Sequence, residues 1–313
     1  MNGKLPGWVN WRLQNVLVLG FTLTTAITII LGAPITYAVI NNYLEEAQDA
    51  RVGRDMDLAD AFYNNKLYDI SSTAGRIASA SSVQHNLSAA SQGDERSSQA
   101  VERQIHNEIS NLPPGTQRFV VVTDAEGIAV AGLVSSSGTL GPVVPHTDWS
   151  LVPIVASALE KGQPLSATEI IPTEELSWIG LEKQAEIRLI DTPKAAQDPF
   201  EASEGSAGLV LMGVSPVESD DGKPIGSVLV GHLFNKDYTL VDRIKAVAGV
   251  DTATIFFGDL RVSTNVEDEA GKRAIGTRVS QEVFDRVLVR GEEFTGPAYF
   301  VNQWYIKRYQ PLY

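Results

Sequence analysis

The sequence predicts an α+β protein: an N-terminal transmembrane helix, a long helix leaving it, and two antiparallel-sheet modules in tandem, the second of them incomplete. Three observations lead there. Residues 16–40 (VLVLGFTLTTAITIILGAPITYAVI) are uncharged, predominantly apolar and long enough to span a bilayer with some tilt. Residues 44 to about 90 carry apolar side chains at the 3.6-residue period of a helix. From residue 118 onward, short apolar runs alternate with turn signals, and a strand–turn–strand pattern occurs early and again late.

Composition narrows the function classes. The chain has 313 residues, enough for one or two domains with real cores. It has no cysteine, which removes disulfides, thiolate metal sites, covalent haem attachment and cysteine nucleophiles together. Lys and Arg number 25 against 38 Asp and Glu, a net charge of −13. Only Lys4 and Arg12 lie before residue 41, so the remainder is more acidic still. Nucleic-acid binding calls for a basic patch, and attraction to anionic lipid does too, so both are disfavoured.

Taken in order, Trp8 and Trp11 precede the apolar run and Tyr43 follows it, where aromatic belts form. Lys4 and Arg12 on one side and Glu45 and Glu46 on the other place the N-terminus in the cytoplasm by the positive-inside rule. A cleaved signal peptide is the rival reading, but its apolar region would be about half as long. In the helix that follows, Ala59, Phe62, Ile70, Ala74 and Ile77 mark one face, and a break is expected at 91–95. A second helix then carries Val101, Ile105, Ile109 and Leu112 as a stripe, ended by Pro113 and Pro114.

The first sheet module is expected to have five strands. FVVVTDAEGIAVAGLV supplies two of them, around a turn at Asp124–Gly127. Residues 149–161 read as a helix capped by Asp148 and stopped by Gly162, 166–171 as a third strand, and 172–207 as an irregular crossing segment. The hairpin at 208–233 supplies the last two, turning at Asp221–Gly222, where glycine takes the positive φ that such turns need. Asp220–Gly222 also resembles the start of a calcium loop, but the later ligands are missing. A connector helix follows, capped by Asp237 and stopped by Gly249. ATIFFGDLRVSTNV (253–266) then repeats the strand–turn–strand shape, 279–290 reads as a helix, and Phe294–Phe300 and 304–312 as strands. The organisation expected is a cytoplasmic N-terminus at 1–15, a transmembrane helix at 16–40, helical stalk and second helix at 41–115, a membrane-distal module at 116–236, a connector at 237–250 and a membrane-proximal module at 251–313. The second module lacks a strand and no second span follows, so the sequence is expected to be the N-terminal part of a longer protein.

Several stretches together resemble the double Cache sensor domains of bacterial chemoreceptors and sensor histidine kinases. They are TEIIPTEEL (168–176), LIDTPKA (189–195), GHLFNKDYTLVDRIK (231–245) and the run from ATIFFGDLRVSTNV to the end. The resemblance covers roughly 44–313. It implies a pair of PAS-like antiparallel sheets strung on a long N-terminal helix, dimerisation through that helix, and a role as the periplasmic, ligand-sensing part of an inner-membrane receptor, residues 41–313 being extracytoplasmic. Kinase, chemotaxis or cyclase output would lie in a later region. The aromatic-Arg-Trp-Tyr-Asp arrangement of the amino-acid-binding subgroup is absent from the first module.

No catalytic motif is present: no HExxH, GxSxG or P-loop, and four histidines without metal-ligand spacing. No cofactor, metal or catalytic residue is expected. A pocket is more plausible than an active site, and in a sheet-plus-helix module it is expected under the crossing segment. That segment carries Trp178, Lys183, Arg188 and Lys194, which become the candidate ligand contacts for a small anion such as a carboxylate. The competing reading pairs these cations with Glu174, Glu182 and Glu186 and makes Trp178 and Trp149 core anchors. In the second module Arg261, Thr264, Trp304, Tyr305 and Arg308 lie on facing strands, and the sequence leaves open which face is the pocket. The expected function is therefore ligand sensing coupled to a conformational change across the membrane. The alternative is a ligandless scaffold or partner-binding module of a membrane-anchored envelope protein.

Overall fold

The computed structural model describes residues 13–110, 118–136, 139–192, 194–196, 205–268, 270–300 and 303–311. Its contacts divide the chain into two units, Met1–Arg54 and Asp55–Tyr313. In the first, the described residues are the start of helix α1 (Leu13–Ala78), which is long and apolar enough to cross a membrane and has none of that apolar stretch buried. The hydroxyls of Thr22, Thr24, Thr25 and Thr28 donate back to the carbonyls of Val18, Gly20, Phe21 and Thr24. These four hydroxyls therefore find acceptors within the helix, as a hydrocarbon environment demands. Pro34 is accommodated without interrupting α1.

The second unit is built on a six-stranded antiparallel sheet. Its strands are β1 (Arg118–Asp124), β2 (Ala129–Ser136), β3 (Thr139–Pro142), β4 (Leu165–Ile171), β5 (Gly208–Glu218) and β6 (Pro224–Leu233), in spatial order β3-β2-β1-β6-β5-β4. β1, β5 and β6 read as nearly unbroken apolar runs because helices cover both faces. One face carries α1 together with α2 (Ser81–Ser91) and α3 (Glu95–Ile109); Ile70, Ala74, Ile77, Val83, Leu87, Val101, Ile105 and Ile109 are buried there. α1 meets β5 where there is no side chain to separate them: a Cβ on Gly213 would lie 2.9 Å from the Cα of Ser71. The other face carries Trp149, α4 (Pro153–Lys161), α5 (Thr173–Trp178) and α6 (Glu182–Ala185).

The mixed α+β class and the long N-terminal helix agree with expectation. Several element bounds differ. The stalk helix does not run to residue 90: Ala80 is extended (φ −69°, ψ 127°), and α2 starts afresh beyond it, which turns Val83 and Leu87 into the core. Thr139–Pro142 adds a sixth strand at the edge, in a stretch to which the sequence pattern assigns no element; Pro142 ends the strand at an edge, where a missing N–H does no harm. The helix expected at 149–161 is a single 3₁₀ turn, Trp149–Leu151, followed by α4 starting at Pro153, because proline fits the first helical position and not the interior. Leu112, Pro113, Pro114 and most of the polar run at 197–206 fall outside the described residues.

After β6 comes the connector α7 (Thr239–Ala248), ended by Gly249. Asp237 caps it from one residue further out than expected, its Oδ1 accepting from the Thr239 amide at 2.8 Å. β7 (Thr254–Phe257) and β8 (Leu260–Thr264) form one two-stranded ladder, and β9 (Phe294–Phe300) and β10 (Gln303–Tyr309) another. Between them lies a short helix, α8 (Gln281–Val283), that widens into a π turn over Phe284–Val289 in place of the regular helix expected. Leu240, Ile244, Phe257, Leu260 and Val262 join the same apolar cluster as α1 and the large sheet, so the connector is buried on one side in a shared core.

Candidate functional site: a cationic cavity against the long helix

The space under the crossing segment is filled. Trp149, Leu176, Ile179, Leu181 and Ala185 are fully or almost fully buried there, with Phe119 and Met212 of the sheet beneath them. Trp149 stacks at 5.8 Å on Phe119 and meets Trp178 edge-on at 5.5 Å. Trp178 is thus part of this packed layer. Lys183 and Lys194 are exposed, and Lys194 offers its carbonyl to the Gln281 amide at 3.0 Å. Arg188 is exposed too, and it lines a cavity of about 380 Å³ with Lys236, Ile187, Ile190 and Ile275. The four candidates are not gathered around one space: Arg188 lines that cavity, and Trp178, Lys183 and Lys194 do not.

A larger cavity, about 610 Å³ and half open, lies on the opposite side of the sheet, against α1. α1 supplies Phe62, Lys66, Asp69, Thr73 and Arg76 to its wall, α3 supplies Glu108, β1 supplies Arg118, and α7 supplies Thr239, Leu240 and Arg243. The geometry is set by helix periodicity. Phe62, Lys66, Asp69, Thr73 and Arg76 recur at three- and four-residue steps and so share one face. From Lys66 to Arg76 that face runs about 15 Å along the helix axis at 1.5 Å per residue.

At one end, Arg118 is 4% exposed and donates to Asp69 Oδ2 at 2.7 Å, while its Nε has no hydrogen-bond partner. The Arg243 guanidinium lies 5.4 Å from the centre of the Phe62 ring. Lys66 is half-buried beside them; burial, and then the charge of Arg118, lowers its pKa from the ordinary lysine value, against the opposing pull of Asp237 and Asp69. Behind this group, His232 of β6 is fully buried, 3.4 Å from Asp237 Oδ2, with neither ring nitrogen in hydrogen-bonding geometry. Burial first, then Lys66 and Arg118, holds His232 well below the usual histidine range, so it is neutral at pH 7. At the other end of the groove Arg76 pairs with Glu108 at 3.1 Å. What this arrangement can do chemically is hold an anion; it has no nucleophile poised beside a base.

Sequence reasoning passed over Lys66, Arg118, His232 and Arg243. The signal for Lys66 was present: it falls on the stripe Ala59–Phe62–Ile70–Ala74, where a lysine breaks the apolar pattern. Likewise His232 interrupts SVLVGHLF, and Arg118 heads FVVV.

Beyond the connector, the side chains of β10 are described from Lys307 onward, and all of them are half-buried. Tyr309 packs 5.9 Å from Phe256, and Lys307 is close enough to Arg261 that burial and that charge bring its pKa down to about 8. Arg261 is itself lowered to about 10, chiefly by burial; it donates to Thr277 and lies 5.3 Å from the Phe256 ring centre. Thr264 is buried against Thr254, and Arg308 pairs with Glu293. The side chains of Trp304 and Tyr305 are outside the described residues. The crossing segment is hydrogen-bonded to Gly276 and Arg278, between β8 and α8. The Ile190 amide donates to Gly276 O at 2.8 Å, the Arg278 amide to Thr192 Oγ1 at 3.1 Å, and Arg278 Nη1 to Ala196 O at 3.1 Å.

Over the last part of the chain a family model agrees with the Cache resemblance. Residues 232–313 match the family model described as single Cache domain 3, which takes in the end of β6, the connector and the second module. No curated protein matches. Among solved structures, the periplasmic domain of Vibrio cholerae LuxQ is 13% identical, with a TM-score of 0.40, covering 79% of this chain and 90% of that one. The sensory domain of the Campylobacter jejuni chemoreceptor Tlp3 is 14% identical, TM-score 0.43, covering 87% and 90%. The ligand-binding domain of the Pseudomonas aeruginosa PAO1 amino-acid chemoreceptor PctC, in complex with GABA, is 12% identical, TM-score 0.33, covering 75% and 78%.

Proposed function

We propose that this chain is the ligand-sensing input region of a transmembrane receptor, anchored in the inner membrane by the N-terminal part of α1 with residues 41–313 on the periplasmic side. The ligand is a small organic anion. The observation that carries the reading is the half-open cavity at which Lys66, Arg118 and Arg243 converge from α1, β1 and α7. In so acidic a chain, three cations from three separate elements at one concavity amount to a built anion site. A ligand there touches α1 and the connector together, so its affinity can differ between two packings of those elements, and occupancy shifts their populations. A swing from 1:99 to 99:1 would need about 5.5 kcal/mol of differential affinity. The tandem organisation expected from sequence, a membrane-distal module at 116–236 and a membrane-proximal one at 251–313 joined by a connector, is part of this proposal, as is pairing of two copies along the stalk helix. Arg188, with Lys236 at the smaller cavity, is proposed as a second anion contact, and Lys183 and Lys194 as charges flanking it.

The test is a thermal-stability screen of the full chain in lipid nanodiscs against a library of organic anions. A ligand at a hundred times its Kd stabilises by about 2.7 kcal/mol, which a melting curve resolves. Stabilisation by members of one chemical class supports the reading. A flat response to the whole library would favour the ligandless scaffold instead.

A further inference from the structure

We infer that the anion held against α1 carries a single negative charge, an organic monocarboxylate with an apolar body, and that the Lys66 ammonium is its counter-ion. This rests on the sensor reading above and specifies the ligand of that same site.

Charge balance at the inner end of the cavity is the first support. Three cations, Lys66, Arg118 and Arg243, stand against two carboxylates, Asp69 and Asp237, and His232 is neutral. The site is therefore short of one negative charge. Of the two cations here with no carboxylate partner among the described residues, Lys66 and Arg243, Lys66 is the one with no aromatic ring against it either. Arg118 is taken up by Asp69 at 2.7 Å, and Arg243 sits over the Phe62 ring. Asp237 faces His232 at 3.4 Å and turns its other oxygen to the Thr239 amide and hydroxyl. Lys66, half-buried in the wall, makes no hydrogen bond and no ion pair with any described residue. The Nε–H of Arg118 has no partner but is closed off from solvent, which leaves Lys66 to make the contact.

The far end decides against a second charge. There Arg76 is already neutralised by Glu108, about 15 Å along the helix from Lys66 at 1.5 Å per residue. A second carboxylate on the ligand would exceed the shortfall of one charge: beside Phe62 it would meet only Arg243, already counted in that balance, and elsewhere along the wall Leu240 or the carboxylate of Asp69. An apolar body suits the same stretch.

A proton linkage follows from the geometry. An anion placed against Lys66 stabilises its charged form, and Asp69, Asp237, Arg118, Arg243 and His232 are the groups that face it. Binding at alkaline pH is then accompanied by proton uptake.

The experiment is titration calorimetry on the full chain in nanodiscs of zwitterionic lipid. The probes are straight-chain monocarboxylates from acetate to octanoate, benzoate, the matched dicarboxylates from malonate to suberate, phthalate, and inorganic phosphate. Titrations are run at pH 7 and pH 9 in buffers of different ionisation enthalpy. The expected result is that at least one monocarboxylate binds, at least tenfold more tightly than its dicarboxylate counterpart, with proton uptake at pH 9. Lys66→Met should weaken it by tenfold or more. Lys66→Arg, which keeps the charge and does not titrate, should retain binding and lose the uptake. Tighter binding of dicarboxylates or phosphate, or affinity and uptake unchanged in Lys66→Met, overturns this inference while leaving anion sensing intact. Failure of every probe, together with a flat stability screen, overturns both.

Discussion

Replacing Trp149 with leucine separates a packed wall from a ligand platform. The indole is fully buried, stacked on Phe119, met edge-on by Trp178, and its Nε1 donates to Thr147 Oγ1 at 3.0 Å. A buried aromatic side chain covers about 150–250 Å², and each aromatic pair adds about 0.5–1.5 kcal/mol beyond its area. Leucine refills part of the volume but loses both ring contacts and the indole's hydrogen bond to Thr147, whose hydroxyl still donates to Val144 O. The cost should fall at about 3–5 kcal/mol, the range of large core truncations. For a folded unit of this size, each kcal/mol moves the melting midpoint by about 2–4 °C, so a drop of about 6–20 °C is expected. The assay is thermal and urea unfolding followed by near-ultraviolet circular dichroism, with anion affinity measured below the transition. Affinity should be unchanged, because the cavity against α1 lies across the sheet from Trp149. A loss under about 1 kcal/mol accompanied by a tenfold loss of affinity would refute the reasoning and return the binding site to the crossing segment.

Two further perturbations follow. Gly276 has φ +88°, and a Cβ there would lie 2.1 Å from the carbonyl oxygen of Arg188. Gly276→Ala should therefore release residues 187–192 from Gly276 and Arg278, costing at least about 1 kcal/mol for the backbone conformation alone; faster amide exchange confined to 186–196 would report it. His232 is held neutral by burial, so its folded pKa lies below its unfolded value of about 6.5. The unfolded chain binds the extra proton first on acidification. The stability linked to His232 is thus fully present above about pH 6.5 and declines as pH falls below it toward the folded pKa. His232→Phe should flatten the pH 5–7 part of the stability curve, as read by urea midpoints, and an unaltered slope would show that other groups set it.

The elements that sequence pattern identified best were those whose residues all serve one purpose. β1, β5 and β6 are apolar throughout because both faces are covered, and the α3 stripe Val101–Ile105–Ile109 is buried as its spacing implies. The ends of elements were harder to read. Ala80 ends α1 with no glycine or proline, through a turn whose payoff is the burial of Val83 and Leu87, a tertiary cause with no local mark. The cavity against α1 was not legible in the sequence for a related reason. Composition showed cations in the crossing segment, but only the fold reveals that Trp149, Leu176, Ile179 and Leu181 fill the space beneath them. Lys66, Arg118 and Arg243 are separated widely in sequence and meet only because β1 begins beside α1 and α7 begins where β6 ends. A single polar residue on each otherwise apolar pattern was the available clue, and it acquires meaning when the patterns are brought together.

The most direct measurement of the central claim is amide hydrogen exchange of the full chain in nanodiscs, with and without a stabilising anion from the screen. The account predicts added protection at 62–76, 118–120 and 239–243, the segments that bring Lys66, Arg118 and Arg243 to the cavity wall, with 173–185 unchanged. Protection confined to the crossing segment, with the α1 face exchanging as before, would contradict it.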